Sequence, residues 1–181
     1  SMRSAAERML SGYPTFRSVN GTAEATSLED RSVDAVVAAQ AFHWFDAPRA
    51  RAEFSRILKP SGWMVLMWNV RQVDSTPFLR AYEELLQTYG TDYAQVRHEN
   101  TGDQELRQFF IDGVYVTHSI IHEQRFDLVG LKGRLLSSSY APAEGHLHHQ
   151  PMLNELANIF AQHQSGGEVC FHYATQIHIG R

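Results

Sequence analysis

The 181-residue sequence has one cysteine, Cys170. A lone thiol excludes an internal disulfide and suits a reducing, cytoplasmic setting. No apolar run reaches the roughly 18–20 residues that a membrane-spanning helix needs. Neither sign of charge predominates. Sixteen Lys+Arg against 20 Asp+Glu leave a net charge of −4, which gives no basic field for nucleic acid or an anionic membrane surface. The two signs alternate along the chain, so no disordered charged tail is expected. The opening residues, Ser1 to Ala5, lack the charged-then-apolar pattern of a secretory leader. There is no internal repeat and no low-complexity segment. What remains is ordinary globular composition, 43% hydrophobic and 20% charged, enough to build a proper core.

Periodicity divides the chain into elements. Residues 4–10 read as a short helix with Ala5, Ala6, Met9 and Leu10 on one side, stopped by Gly12 and Pro14. Phe16–Val19 reads as a short strand, and 21–31 as loop. Val33–Ala39 is nearly continuous apolar sequence, the pattern of a strand buried on both faces. Asp46 is placed to cap a helix from Ala47 to Leu58, with Pro48 tolerated in its first turn. Ala50, Phe54, Ile57 and Leu58 share its apolar face. Lys59-Pro60-Ser61-Gly62 reads as a turn and Trp63–Trp68 as a buried strand.

Helices are expected at Thr76–Tyr89, Asp103–Phe110, Leu128–Ser139 and Pro151–His163, and strands at Tyr115–Phe126 and Val169–Ile179. On the last strand Val169, Phe171, Tyr173, Thr175, Ile177 and Ile179 face one way. Cys170, His172 and His178 face the other, at a polar or interface surface. The rhythm is that of an α/β domain with parallel strands and an antiparallel pair at the C-terminus. One domain is expected over 1–181, with 71–165 as a mostly helical cover.

Ligands of open α/β sheets bind on the loops that follow the strands. Here those loops are Asn20–Ala25, Gln40–Asp46 and Trp68–Arg71. The ordered set G-T-A-E-A, S-V-D-A-V-V-A-A-Q-A-F-H-W-F-D and L-K-P-S-G-W-M-V-L resembles the class I S-adenosylmethionine (SAM)-dependent methyltransferases. The small-molecule branch, with its ubiquinone-biosynthesis and trans-aconitate methyltransferase relatives, fits best. The resemblance implies an incomplete Rossmann-like sheet, SAM as cofactor and a small-molecule acceptor.

Residue by residue, it puts Thr22 and Ala23 against adenine, Gln40 and Ala41 behind the methionine portion, and His43 and Trp44 at the floor where methyl transfer occurs. Thr22 stands where the family usually has Asp. Glu24 either compensates or points to solvent. The family's first strand, its glycine-rich loop and the acid that binds the ribose hydroxyls have no counterpart, since glycines begin at Gly12. An N-terminally truncated domain with impaired SAM binding is therefore expected. The seam this leaves along 33–39 is closed either by 16–19 or by a second copy in a homodimer or higher oligomer.

Several residues carry two readings. His43 is a general base or a packing partner of Trp44. Trp44 and Trp68 wall an acceptor pocket or belong to the core. Arg71 and Arg134 hold an acidic substrate or are solvated. Tyr140, in Ser137-Ser138-Ser139-Tyr140, lies in a segment that resembles one near the acceptor site of relatives. His146-Leu147-His148-His149 lacks the spacing of firm zinc motifs, so no metal is expected. The alternative to an enzyme is a non-catalytic remnant that acts as an oligomeric or small-molecule binding protein.

Overall fold

The computed structural model describes residues 2–93 and 102–181. Residues 94–101, part of the expected helical cover, lie outside them. The helices are α1 (Met2–Met9), α2 (Ala47–Ile57), α3 (Pro77–Tyr89), α4 (Asp103–Phe109), α5 (Leu128–Leu136) and α6 (His149–His163). The strands are β1 (Val33–Ala39), β2 (Leu58–Arg71), β3 (Tyr115–Phe126) and β4 (Val169–Gly180). The fold is α/β, with one four-stranded sheet in the order β1-β2-β4-β3. Paired residue numbers rise together from β1 to β2: the N–H groups of Arg31 and Ser32 donate to the carbonyls of Arg56 and Ile57, and Lys59 pairs with Asp34. Those two strands are parallel. Between β4 and β3 the numbers run oppositely: Thr117 meets His178 while His122 stacks on Tyr173. The expected antiparallel C-terminal pair is therefore present.

The chain packs as two units. The first comprises residues up to Leu66, Asp103–Val116 and Ile179–Arg181; the second comprises Met67–Gly102 and Thr117–His178. The first unit is held by an aromatic cluster. The Phe109 ring lies 4.7 Å from that of Phe42 and 5.7 Å from that of Phe54, both edge-on. Arg51 of α2 donates to the carbonyls of Phe109 and Ile111, tying α2 to the end of α4. In the second unit α3, α5 and α6 bury Leu79, Tyr82, Leu86, Leu131, Leu135 and Leu156 against Phe171 of β4. Burying each such side chain contributes about 1.5–3 kcal/mol.

Local chemistry sets the helix ends. The Asp46 carboxylate accepts from the Arg49 N–H, and the Thr76 hydroxyl accepts from the Leu79 N–H, each with Pro in the first turn. Asp127 caps α5 by accepting from the Gly130 N–H.

Four sequence expectations are corrected. Residues 16–19 form no strand, so they do not close the edge of β1. Local bonds hold this stretch instead: Arg17 donates to the carbonyls of Pro14 and Phe16, and the Ser18 hydroxyl donates to Glu7. Lys59–Gly62 is extended rather than a turn and belongs to β2. Lys59 Nζ reaches Asp34 at 2.7 Å, and a Cβ on Gly62 would lie 3.1 Å from the Asp34 carbonyl oxygen. Close approach to β1 therefore favours glycine there. β1 is not buried on both faces: only Ala38 is fully buried, and Val37 is 58% exposed. Finally, β4 changes face. Val169, Phe171 and Tyr173 are buried, but farther along the buried residues are His178 and Gly180. His178 is therefore interior rather than at a polar surface, bonded to the Thr117 hydroxyl, with burial lowering its pKa.

Candidate functional site

In the first unit the candidate cofactor residues stand on two braced loops. Residues 22–25 form a tight turn in which Thr22 and Ala25 exchange both backbone hydrogen bonds. The Ala23 N–H donates to no described residue. Glu24 does not point to solvent. Its Oε1 accepts from the Asp46 N–H at 3.0 Å, and the Thr22 hydroxyl donates to the same carboxyl, which holds its pKa below the ordinary value. Glu24 thus staples the 22–25 turn to the loop that launches α2.

That loop leaves β1 through Gln40, whose φ of 53° lies in the left-handed region. Such a conformation is uncommon for a residue with a side chain, and positions of this kind concentrate at functional sites. After Ala41, a single 3-10 turn spans Phe42–Trp44. Phe42 is buried and anchors it. His43 is half-buried with its ring 4.9 Å from that of Trp44. Trp44 is 70% exposed, so it offers an open aromatic face.

A second brace was not anticipated. Glu53 of α2 accepts from both the N–H and the hydroxyl of Thr26, at 2.9 and 2.6 Å. Arg56 pairs with Glu53 and Asp30 and donates to the Leu28 carbonyl. The bonds from Arg56 and Thr26 pull the Glu53 carboxyl down to about 2. The signal was legible: Glu53 interrupts the apolar face of Ala50, Phe54 and Ile57 at the i+3 position. A carboxylate placed there needs partners.

In the second unit Trp68 is 5% exposed, with its ring edge-on to His178. Arg71 is not a solvated arginine. Its side chain and that of Glu83 are each 9% exposed and ion-paired at 2.5 Å. Tyr93 donates to the same carboxylate oxygen at 2.6 Å and accepts from Arg71 at 2.9 Å. Burial pushes the Glu83 carboxyl up, and its bonds from Tyr93 and Arg71 outweigh that, so its pKa is lowered.

Arg71 Nη1 and the Tyr82 hydroxyl are buried without a hydrogen-bond partner among the described residues. The Arg71 guanidinium lies 5.2 Å from the centre of the Tyr82 ring. Arg134 approaches that ring at 6.0 Å and that of Phe171 at 4.7 Å, and its Nε donates to the Tyr173 hydroxyl. No described carboxylate pairs with Arg134. Tyr140 is half-buried with its ring 4.9 Å from that of Tyr93. The second unit thus collects Arg71, Arg134 and Tyr140 around Tyr82. The first unit holds Thr22, Ala23, Gln40, Ala41, His43 and Trp44.

Residues 1–66 match the type 11 methyltransferase domain family. An uncharacterised methyltransferase of Mycobacterium tuberculosis (strain H37Rv) is 35% identical over 118 residues, covering 65% of this chain and 47% of that protein. An uncharacterised methyltransferase-like protein of Schizosaccharomyces pombe is 41% identical over 80 residues, covering 44% and 31% respectively. The chain thus spans a third to a half of the length of the curated relatives it matches. Among solved structures, a candidate type II methyltransferase from Anaeromyxobacter dehalogenans superposes with a TM-score of 0.63 at 21% identity, over 93% of this chain and 73% of that one. Residues 1–66 thus carry the match to a methyltransferase domain family, and the chain shares the fold of a solved candidate methyltransferase.

Proposed function

We propose that the protein takes part in methyl transfer from SAM to a small-molecule acceptor that carries an anionic group. The observation that carries this reading is the Ala23 N–H, left unengaged in a turn that Glu24 fastens to the loop bearing His43. A backbone donor held in this way fits a ring nitrogen of adenine. A threonine hydroxyl carries no negative charge, so Thr22 does not take over the role of the acid the family usually has there. Gln40 and Ala41 lie on the methionine side. SAM bound there would supply an electrophilic methyl group to the acceptor. His43 accepts the acceptor's proton where the nucleophile is a hydroxyl or amine. In the second unit, Trp68, Arg71 and Tyr140 belong to the acceptor's binding residues. Arg134 and the Tyr82 hydroxyl supply the groups that suit an anion.

On the adenine side the described residues offer one backbone hydrogen bond, a net contribution of about 0.5–1.5 kcal/mol. The affinity of this chain for SAM is therefore weak. β1, the terminal strand of the described sheet, pairs with a second copy to give a homodimer, and the protein works in the cytoplasm.

Radiolabelled methyl transfer tests the reading, with millimolar SAM and a panel of carboxylate-bearing metabolites. The expected result is transfer that falls by roughly 10²-fold or more in His43→Ala. SAM binding by calorimetry without transfer to any acceptor would favour the second reading, a non-catalytic binding protein, for which the commitment of Thr22 to Glu24 speaks. Sedimentation of the purified chain checks the dimer.

A further inference from the structure

Three potential metal ligands meet on the β3–β4 pair of the second unit. Cys170 and His172 are two residues apart on β4, so their side chains emerge on the same face. The antiparallel register brings Glu123 of β3 beside both. Glu123 Oε2 lies 3.4 Å from Cys170 Sγ, and Oε1 lies 3.7 Å from His172 Nε2. All three donor atoms lie within 4.8 Å of one another. In a tetrahedral zinc site, sulfur, nitrogen and oxygen ligands at their usual bond lengths stand about 3.4–3.6 Å apart. The two observed separations, one to each oxygen of Glu123, are already near that spacing, and a turn of the carboxylate brings one oxygen toward both partners.

The imidazole is also oriented for the task. His172 Nδ1 is bonded to the Ser75 hydroxyl at 3.0 Å, which leaves Nε2 turned toward Glu123. Metal-ligating histidines are typically held through their other ring nitrogen in this way.

We propose that Glu123, Cys170 and His172 form a site for a thiophilic divalent cation of the zinc class, clasping β3 to β4. Uptake replaces the thiol proton: the S–H bond breaks, the proton leaves to solvent, and a sulfur–metal bond forms. The thiolate and the carboxylate then balance the two positive charges of the ion. Arg125 works against the site, because it donates to Glu123 Oε2 at 3.2 Å and must release that oxygen. Three protein ligands leave the fourth position of a tetrahedral ion open to water or to an exogenous group. This assignment is independent of the methyl-transfer reading and stands or falls separately from it.

Titration of the reduced full chain with cobalt(II) tests the proposal, followed by zinc competition. Because Cys170 is the chain's one cysteine, a thiolate-to-cobalt charge-transfer band reports this position alone, whatever the histidines of 146–149 bind. The expected result is that band together with the visible bands of tetrahedral cobalt, both abolished by zinc. Cys170→Ser removes the charge-transfer band. His172→Ala and Glu123→Gln each weaken binding strongly, Ser75→Ala weakens it by roughly 10-fold, and Arg125→Ala tightens it. Circular dichroism confirms that each variant folds. The proposal is overturned by cobalt uptake without a sulfur band, by no uptake at all, or by a band that His172→Ala and Glu123→Gln leave unchanged.

Discussion

Removing the Glu83 carboxylate should cost far more stability than breaking an ordinary ion pair. An exposed pair is worth about 0–1 kcal/mol. Here both side chains are 9% exposed, which decides the regime. Glu83→Ala strands the Arg71 guanidinium in the interior with Nη1 already without a partner among the described residues, and it deprives the Tyr93 hydroxyl of its acceptor. Breaking a buried pair from one side costs about 3–5 kcal/mol. A single domain is stable by only about 5–15 kcal/mol, so the variant sits near the edge of folding. Removing both charges behaves differently. In Arg71→Met/Glu83→Leu no charge is left buried, and such replacements are often neutral or stabilising. The Tyr93 hydroxyl still lacks its partner, at about 1–3 kcal/mol. The double variant should therefore be more stable than Glu83→Ala, with a coupling energy of about 2 kcal/mol or more. Urea unfolding followed by circular dichroism measures wild type, Arg71→Met, Glu83→Leu and the double variant as the corners of the cycle, with Glu83→Ala alongside. A loss below about 1 kcal/mol for Glu83→Ala, or strict additivity in the double variant, would refute the reasoning.

Acid should loosen the loop that carries the proposed adenine turn. The Glu53 carboxyl is depressed from 4.5 to about 2 by Arg56 and Thr26, so its stabilising contribution is complete above 4.5 and is lost as the pH falls toward 2. The protection of the Thr26 amide, its exchange rate taken relative to the intrinsic rate at each pH, should fall through that window in wild type and be low throughout in Glu53→Gln. Gly180→Ala would place a Cβ 2.6 Å from both Phe110 Cδ1 and the Val114 carbonyl oxygen, and thermal unfolding should show a loss of about 1–3 kcal/mol. Asp46→Ala removes the cap of α2; a loss of about 1 kcal/mol is expected, measured by urea unfolding.

The helices were legible because their information is local. Asp46, Thr76, Pro48 and Pro77 sit at the ends of α2 and α3, where capping and fixed φ act within a few residues. The apolar face of α3, Phe78 with Leu79, Tyr82, Leu85 and Leu86, is buried as its periodicity requires. The strand expectation at 16–19 failed for the converse reason. Four residues carry too little pattern to outweigh the side-chain bonds that Arg17 and Ser18 make nearby. β1 misled in another way. Its apolar run has the composition of a strand covered on both faces, yet it lies at the end of the described sheet with Val37 exposed. Composition records what a strand tolerates, and sheet order decides what covers it.

The site residues divide along the same line. Residues 40–46 announce themselves as one contiguous stretch, although the left-handed turn at Gln40 does not, because nothing in a glutamine side chain asks for positive φ. The pairing of Arg71 with Glu83 and Tyr93 spans 12 and 22 residues and depends on where α3 lands. Glu123 meets Cys170 and His172 across nearly fifty positions, and only the antiparallel register of β3 on β4 fixes that meeting. A shift of one residue in that register would turn Glu123 to the opposite face of the sheet. Cys170 and His172 would then keep their places on β4 without a carboxylate between them. The cation site is thus a property of strand pairing. The turn at 22–25 is a property of its own short sequence, closed by Thr22 and Ala25, and its bond from Glu24 to the Asp46 N–H fixes it to the loop that bears His43.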